Sequence, residues 1–336
     1  MNYGFHIYFF VGKGGVGKTT CAAAYSIVLA NSGLKTLIVS LDPAHNLGDV
    51  FNYKLGETPL EIIDKLYAVE VDFDKTVKDH LKELTSKVKD IYGYLKVLNL
   101  DKYIDILRHS PGIEEYAILE KIIDIVQTNI KQKKYDVIVF DTPPTGLTIR
   151  IMALPSVSML WIRKLIELRI AILDRRKILE RIRGEKLKTI ISGKELALPS
   201  SIEDDPIYRE LIRINKRIEL INNVFINPRN TSVFIVVNPE TLPILEAYRA
   251  YSFLTRLGIP VKALIVNKVL KLSTPPKELE VKMREQDKAS NLIDKLFKGM
   301  KIVRIPLLVK EPTGIKNLTE VSKYLTPLLE LEGLTT

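Results

Sequence analysis

The sequence of 336 residues contains a single cysteine, Cys21. One thiol excludes an intrachain disulfide and any metal or iron–sulfur site that several cysteines would build. The sequence also lacks an uninterrupted apolar run of about eighteen residues, so we expect no transmembrane span. The first apolar segment begins at Phe5, which leaves no room for a signal peptide. These absences favour a cytoplasmic protein.

The sequence carries a net positive charge of +10, from 50 basic and 40 acidic residues. Such a charge indicates an anionic partner, which is a nucleotide, a nucleic acid or a membrane surface. The charge is unevenly spread, because residues 150–229 contain 17 basic and 10 acidic residues. Hydrophobic residues make up 46% of the chain, which is ordinary for a globular protein.

Six short apolar runs, rich in β-branched residues, alternate with stretches that favour helix. Such runs are typical of central strands in a parallel sheet that is buried on both faces. The sequence therefore predicts an α/β fold with a doubly wound, mostly parallel sheet, in which ligands bind at the carboxyl ends of the strands. The predicted strands are residues 5–11, 36–41, 137–140, 233–237, 263–266 and 301–305.

Two long segments interrupt this alternation, at residues 73–110 and 154–228. Apolar residues in both recur about every 3.5 positions, which predicts helices packed nearly side by side. Residues 157–173 are apolar over most of a helix circumference, so they require a buried site or an apolar ligand. We predict that the two segments form an inserted α-helical subdomain. The rest of the chain, the predicted sheet domain, comprises residues 1–72, 111–153 and 229–336.

Residues 12–20 read GKGGVGKTT, which fits the phosphate-loop pattern G-x-x-x-x-G-K-[ST]. Its glycines allow backbone N–H groups to turn inward around the phosphates of a nucleotide. Lys18 is placed to reach the β- and γ-phosphates, and the Thr19 hydroxyl to bind Mg²⁺. A predicted strand before the loop and a predicted helix after it disfavour a functionless glycine-rich turn. The predicted nucleotide-binding residues of the loop are Gly12, Gly14, Gly15, Val16, Gly17, Lys18, Thr19 and Thr20.

Lys13 is a second lysine at the outer edge of this loop, where it is poorly placed to hold the loop's own phosphates. It resembles the signature lysine of the deviant Walker A ATPases. In that class the lysine crosses a dimer interface and touches the nucleotide of the other subunit. The alternative is an ordinary solvated surface lysine. The resemblance implies a dimer in which Lys13 and Lys18 both act in catalysis.

Two aspartates follow predicted strands and complete the expected site. Asp42 begins the segment DPAHN after the second strand, where its carboxylate can orient the attacking water or accept its proton. Asp141 begins DTPPTGLTIR after the third strand, where it can hold Mg²⁺ through water. Gly146 offers a backbone N–H to a γ-phosphate, so this segment can report the presence of that phosphate. The alternatives are a helix-capping turn at Asp42 and a plain strand-end turn at Asp141.

The motifs KGGVGKTT, DPAHN, PGIEE at residues 111–115 and DTPPTGLTIR resemble those of the tail-anchored membrane-protein targeting ATPases. These guided-entry ATPases are related to the arsenite-pump ATPases. The resemblance implies that Asp42 positions the hydrolytic water and that residues 42–46 and 141–150 are nucleotide switches. It also implies that Asn267 reads adenine and that Glu240 makes a nucleotide-linked dimer contact. Pro306 begins a segment, residues 306–314, that resembles the loop closing over the adenine.

The chain also departs from the family pattern. Many targeting ATPases bind zinc between subunits through a CxxC pair, which Cys21 alone cannot supply, so we expect ATP and Mg²⁺ but no zinc. The sequence is in this respect archaeal-like. The arsenite-pump branch relies on cysteines for its metalloid, so that activity is not expected. Client-binding helices in the family are often rich in methionine, whereas only Met152 and Met159 lie near this region.

These observations favour an ATP-hydrolysing homodimer, or a larger assembly, that binds the transmembrane helices of tail-anchored proteins in a nucleotide-gated apolar groove. A membrane receptor is a further partner that the resemblance allows. The helical insertions have a simpler interpretation as a packed subdomain. The alternative function is a partition or positioning ATPase that binds DNA or a membrane surface nonspecifically through its positive charge. Nucleic acid is not expected as a partner, because that class usually lacks such long apolar insertions.

Overall fold

The computed structural model describes residues 3–42, 47–91, 110–191, 194–272 and 276–332. Within these ranges the chain divides into two compact units. Unit 1 comprises residues 1–73, 124–152 and 224–336, and unit 2 comprises residues 74–123 and 153–223. The predicted sheet domain differs from unit 1 chiefly at residues 111–123, which pack with unit 2.

Unit 1 contains an eight-stranded sheet in the order β10-β9-β8-β1-β5-β2-β4-β3. Every neighbouring pair is parallel except β3 and β4, which are antiparallel at one edge. This is the mostly parallel α/β sheet that the sequence predicts. The strands are β1 His6–Val11, β2 Thr36–Ser40, β3 Leu60–Ile63, β4 Leu66–Glu70, β5 Val137–Asp141, β8 Thr231–Val237, β9 Val261–Val269 and β10 Lys301–Pro306.

All six predicted strands are present as β1, β2, β5, β8, β9 and β10. Sequence analysis missed β3 and β4 because β3 lies at the sheet edge, where three of its four residues are at least partly exposed. It also missed a two-stranded antiparallel hairpin in unit 2, formed by β6 Lys188–Ile191 and β7 Lys194–Ala197. Those residues fall inside the segment 154–228, which was predicted to belong to a helical subdomain.

Helices connect the strands and make up most of unit 2. The predicted helix over residues 19–30 is present as α1. The helices are α1 Lys18–Asn31, α2 Leu47–Phe51, α3 Phe73–Ile91, α4 Ile113–Gln132, α5 Thr145–Arg183, α6 Pro206–Ile226, α7 Thr241–Arg256, α8 Lys277–Leu296 and α9 Gly314–Leu325, with a 3-10 helix at Thr326–Glu332.

The core of unit 1 surrounds β1, which is buried at every residue after its first. Phe9 stacks on Phe140 of β5 at 5.1 Å between ring centroids, and Tyr8 packs edge-on against Tyr25 of α1 at 5.1 Å. Successive residues of β1 therefore pack on opposite faces of the sheet, which is why the strand has no polar face. Burial of each such aromatic side chain contributes about 1.5–3 kcal/mol, so the sheet gives the phosphate loop that follows β1 a rigid base.

In unit 2, polar contacts join the helices to one another. Arg169 of α5 donates to Asp205 through Nε at 3.0 Å and through a second guanidinium nitrogen at 2.5 Å. Arg217 of α6 forms an ion pair with Glu120 of α4 at 2.8 Å. Ser156 of α5 and Asn222 of α6 are hydrogen-bonded at 2.9 Å. These contacts set the register of α5 against α6 and of α6 against α4.

Helix α5 has the length and composition of a membrane span. The sequence analysis expected no such span, because it found no uninterrupted apolar run of about eighteen residues. The difference arises because Arg150 interrupts the run without making the stretch polar. Of the qualifying stretch, 33% is buried in the structure. Core helices of globular proteins meet the same two criteria, so this is weak support for a span. The start of α5 is tied to unit 1, because the Thr145 N–H donates to the Gly12 carbonyl at 3.2 Å.

Candidate functional site

The phosphate loop lies at the carboxyl end of β1, between β1 and α1. The neighbours of β1 are β5 on one side and β8 on the other, so the strand order reverses there. In open α/β sheets such a switch point forms the crevice where ligands bind. Helix α1 begins at Lys18 and directs the positive end of its dipole toward this crevice.

Glycine is required at two positions of the loop for different reasons. A Cβ at Gly12 would collide with the Val236 carbonyl oxygen. Gly17 has a φ of +91°, which side chains disfavour, and a Cβ there would collide with the Asn267 amide nitrogen. The loop therefore lies closer to β8 and β9 than any other residue type would allow.

The two lysines of the loop have opposite environments. Lys18 is 5% exposed, and its ammonium group donates to the Lys13 carbonyl oxygen at 3.4 Å. The Lys18 side chain thus curls back over the loop, toward the space where phosphates would lie. The Lys13 side chain is exposed, as expected for a residue at the outer edge of the loop.

The end of β9 contacts the phosphate loop through two consecutive residues. The Asn267 side-chain amide donates to the Val16 carbonyl at 2.8 Å, and the Lys268 ammonium donates to the Gly15 carbonyl at 2.9 Å. The Lys268 backbone N–H donates to the Asn267 side-chain oxygen at 2.9 Å. Asn267 was predicted to read adenine, which remains a prediction; in this structure its amide holds the loop.

Acidic side chains gather at the carboxyl ends of β2, β4 and β5. The pKa of the Asp141 carboxyl is raised from 3.8 to about 7, chiefly by burial and also by the charges of Asp42 and Glu70, which together outweigh the lowering effects of Thr19 and Lys18. Neither Asp141 oxygen has a hydrogen-bond partner by geometry in the part of the chain that is described. A buried, unpartnered carboxylate beside the Thr19 hydroxyl fits a Mg²⁺ ion held through water, which would relieve its burial.

Glu70 and Ser40 belong to this edge and were missed by sequence analysis. In the strand register Ser40 lies between Asp141 of β5 and Glu70 of β4. The Glu70 carboxylate accepts a 2.8 Å hydrogen bond from the Gly48 N–H in the first turn of α2, just beyond the DPAHN segment. Glu70 therefore holds the start of α2, which follows Asp42 in the sequence. Correct prediction of β4 would have shown that Glu70 ends a strand at the same edge.

A cavity of about 830 Å³ opens above the loop, within the size range of small-molecule sites. Nine predicted site residues line it: Gly14, Gly15, Gly17, Lys18, Thr19, Thr20, Asp42, Asn267 and Pro306. Leu307, Leu308 and Pro312 add an apolar wall that suits a purine base, and Lys268, Lys310 and Glu311 add charged groups. The structure thus brings most of the predicted phosphate, catalytic and base-binding residues around one cavity.

The remaining predicted residues do not line this cavity or lie outside the described ranges. Gly12 and Val16 are buried beneath the loop, and Asp141 is buried at the end of β5. Gly146 is exposed in the first turn of α5, and Glu240 is exposed immediately before α7. Residues 43–46 of the predicted first switch lie outside the described residues.

The residues that the structure describes contain no group of three or more His, Cys, Asp or Glu side chains that could hold a metal ion. Cys21 is fully buried in α1, and burial raises the pKa of its thiol to about 12. The thiolate is the reactive form of cysteine, so Cys21 is a packing residue behind the phosphate loop and has no accessible nucleophile.

Comparison with known proteins agrees with this geometry. The family model described as "Anion-transporting ATPase" matches residues 5–327. Among similar proteins, "Putative arsenical pump-driving ATPase 2" of Aquifex aeolicus is 31% identical, over 95% of this chain and 98% of the relative. "ATPase GET3C" of Arabidopsis thaliana is 32% identical, over 92% of this chain and 79% of the relative. "ATPase GET3" of Komagataella phaffii is 31% identical, over 94% of this chain and 88% of the relative.

These matches cover nearly the whole chain, including the phosphate loop and both strand-end aspartates. They confirm the predicted family, fold class and ATPase activity. An ATPase of this kind uses ATP together with Mg²⁺. The chain is therefore a P-loop ATPase and belongs to the anion-transporting ATPase family.

Proposed function

We propose that this ATPase is a homodimeric targeting factor that binds the transmembrane helices of tail-anchored membrane proteins and releases them according to nucleotide state. The observation that carries the proposal is an apolar surface on α5, which we call the α5 stripe. It consists of residues that are between 45% and 75% exposed, namely Val157, Leu160, Trp161, Leu165, Leu168, Ile178, Leu179 and Ile182.

The dimensions of the α5 stripe fit a transmembrane helix. At about 100° per residue its members fall within an arc of about 140°, so they lie on one side of the helix. Five of them lie between Val157 and Leu168 and three between Ile178 and Ile182. Twenty-five residue steps at 1.5 Å give a length of about 37 Å, against about 30 Å for the hydrocarbon core of a bilayer. So many exposed apolar side chains on one side of a helix are unusual on a protein without a partner for them. A single membrane-spanning helix of a client is the occupant that matches both length and polarity.

The side chains around the phosphate loop support the following active-site roles. The phosphate loop binds the phosphates through its backbone N–H groups, and Lys18 neutralises charge on the β- and γ-phosphates. Asp42 orients the attacking water and accepts its proton. A Mg²⁺ ion held by Thr19 directly and by Asp141 through water would supply charge neutralisation at the transferring phosphate. Gly146 and Glu240 extend the site, as a γ-phosphate sensor and a dimer contact respectively.

Relatives of this chain carry two kinds of name, arsenical pump-driving ATPase and GET3. We favour the targeting function because Cys21, the one cysteine of the chain, is buried and protonated. A trivalent metalloid binds best to several accessible thiolates, which this sequence does not supply. We also propose a cytoplasmic location, where ATP and newly made client proteins are both available.

Co-expression with a tail-anchored client tests the proposal. We expect the full chain to hold the client in a soluble complex that is purified through a tag on either protein. A double variant, Trp161→Glu with Leu168→Glu, should lose the complex because two charges would be buried against the client helix. Val281→Glu, which alters an exposed apolar residue of α8, is the matched control and should retain it.

Basal ATP hydrolysis of both variants should equal that of wild type, because Trp161, Leu168 and Val281 are not among the residues that line the cavity. Absence of a client complex with wild type under ATP, ADP and no nucleotide would sink the targeting proposal. A salt-sensitive shift of duplex DNA in the same preparation would instead favour the partition-type alternative.

A further inference from the structure

The end of β9 supports the phosphate loop through Asn267, which the sequence assigned to adenine, and through Lys268, which no predicted site includes. Lys268 donates from its ammonium group to the Gly15 carbonyl, and Asn267 donates from its amide to the Val16 carbonyl. Both donors come from consecutive residues of one strand, and both acceptors are consecutive carbonyls of one loop. The strand and the loop are about 250 residues apart in sequence, so the tertiary fold alone brings them together.

The planarity of the peptide bond gives these contacts a consequence for the anion site. In a trans peptide, the C=O of one residue and the N–H of the next point in opposite directions. Holding the Gly15 carbonyl toward β9 therefore turns the Val16 N–H away from β9, and holding the Val16 carbonyl does the same for the Gly17 N–H. The directions of two of the N–H groups that a phosphate loop can offer to its ligand are thus fixed by contacts from β9.

The backbone conformation of Lys268 is one that residues with a side chain seldom adopt, so tertiary contacts must hold it in place. Lys268 has a φ of +59°, which is uncommon for a residue with a side chain. Such residues persist where the surrounding contacts over-determine them, and they cluster at ligand sites. Here the Lys268 N–H is held by the Asn267 side-chain oxygen, and the side chain then reaches the loop. An ordinary strand conformation at this residue would direct the side chain elsewhere.

We infer that Lys268 is a positioning residue of the nucleotide site, which acts together with Asn267 by fixing the carbonyls of the phosphate loop. The inference rests on the proposed assignment of this cavity to nucleotide. It implies that Lys268 contributes to the affinity for any nucleotide with a β-phosphate, and that it leaves the hydrolytic step to Asp42. A direct ammonium–phosphate contact is the competing role, and it would grow stronger with each added phosphate charge.

Nucleotide binding to full-length variants separates these roles. Fluorescent ADP and a fluorescent nonhydrolysable ATP analogue would be titrated in the presence of Mg²⁺, and kcat would be measured at saturating ATP. Lys268→Met removes the donor but keeps a side chain at the positive φ, whereas Lys268→Gly removes the donor and relieves the backbone strain. Lys268→Arg keeps a donor. Lys271→Met removes an exposed charge three residues further on and is the matched control.

We expect Lys268→Met and Lys268→Gly to weaken the binding of both nucleotides by the same factor, roughly tenfold for the loss of a charged hydrogen bond. Their kcat should stay within about twofold of wild type, and Lys268→Arg should recover most of the affinity. Lys271→Met should bind as wild type does.

Three results would overturn the inference: unchanged affinity in Lys268→Met, wild-type affinity in Lys268→Gly, or a loss that is several times larger for the ATP analogue than for ADP. The last would assign Lys268 to direct phosphate contact. A wrong assignment of the cavity to nucleotide would give a different result. In that case wild type would bind neither nucleotide, or Lys18→Met would bind both nucleotides as wild type does.

Discussion

Burial of Asp141 lowers the free energy of unfolding of the nucleotide-free protein. Its carboxyl is fully buried without a hydrogen-bond partner among the described residues, and burial raises its pKa from 3.8 to about 7. Below about pH 4 the group is protonated in both the folded and unfolded states and has no effect. As pH rises from about 4 to 7, the unfolded state ionises first, so the folded state loses relative stability.

Asp141→Asn should therefore stabilise the nucleotide-free protein above pH 7, by on the order of 2 kcal/mol in the free energy of unfolding. The difference from wild type should shrink on acidification and vanish near pH 4. The same variant should lose the additional stabilisation that Mg²⁺ gives in the presence of ADP. Thermal unfolding of both proteins between pH 4 and 8 measures these effects. A variant less stable than wild type at pH 8 would contradict the assigned cause.

Asp42 lies close enough to the buried Asp141 to raise its pKa, and it lines the same cavity. Asp42→Asn keeps the size of the side chain but removes the base, so hydrolysis should fall by roughly 10²- to 10⁴-fold. Nucleotide affinity should change little, because the phosphates are bound by the loop. Turnover under saturating ATP, together with a binding titration, measures both effects. Turnover within a few-fold of wild type would remove Asp42 from its proposed role.

At the scale of elements, Asp205 joins two helices of unit 2. It immediately precedes α6, where its side chain accepts the Tyr208 N–H at 2.6 Å as an N-cap. The same carboxylate pairs with Arg169 of α5, and it is fully buried. Pro206 follows at the first helical position, where proline is favoured because the N–H that it lacks would have no partner within the helix. One buried side chain thus starts α6 and fixes its position along α5.

The ionised form of Asp205 is favoured in the folded state. Burial would raise its pKa, but the hydrogen bonds from Arg169 and from the Tyr208 N–H outweigh burial and lower it from 3.8. A lowered pKa contributes stability above the unfolded value, and that contribution disappears as pH falls below about 4 toward the folded value.

Asp205→Asn should destabilise the protein by about 2–4 kcal/mol at pH 7, because Arg169 would remain mostly buried without its counter-charge. The deficit relative to wild type should narrow below pH 4. Glu167→Gln, which breaks the exposed Lys164–Glu167 pair, is the matched control and should change stability by less than about 0.5 kcal/mol. Chemical unfolding at pH 3.5 and pH 7 would compare the three proteins. Equal effects of the two substitutions would contradict the distinction between buried and exposed pairs.

At the scale of the whole molecule, Lys13 links the site to the proposed dimer. Its side chain is exposed, while its carbonyl oxygen accepts the Lys18 ammonium hydrogen bond within the same loop. Substitution of the side chain therefore leaves the loop contact in place. This makes Lys13 suitable for testing assembly apart from the local nucleotide site.

Lys13→Ala should reduce ATP turnover at least tenfold and lower the fraction of the protein that forms the ATP-dependent dimer, because it removes one charged contact across the interface. The affinity of the monomer for nucleotide should stay within about threefold of wild type. Light scattering after size-exclusion chromatography, with and without a nonhydrolysable ATP analogue, measures assembly. Lys134→Ala, another exposed lysine, serves as the control. Unchanged turnover and unchanged dimerisation would make Lys13 an ordinary surface residue.

Much of the fold could be predicted because the six central strands are locally distinctive. Of these, β1, β2, β5 and β8 are buried at nearly every residue, so their runs are mostly apolar. The strands β3, β6 and β7 were missed because each has four residues and lacks a continuous apolar run: β3 lies at the edge of the large sheet, and β6 and β7 form a separate two-stranded sheet. The phosphate loop was predicted because its glycines, Lys18 and Thr19 act within nine consecutive residues.

The sequence alone determined the local chemistry. It contains a phosphate loop with glycine at residues 12 and 17, aspartates that end strands, and a helix that is apolar over most of its circumference. Tertiary structure decided what those parts do together. Tertiary structure buried Asp141 with no hydrogen-bond partner among the described residues, exposed the α5 stripe, and brought Lys268 and Asn267 against the loop. The physical reason is that backbone turns and strand ends depend on neighbouring residues, whereas burial and hydrogen bonding depend on segments that are hundreds of residues away.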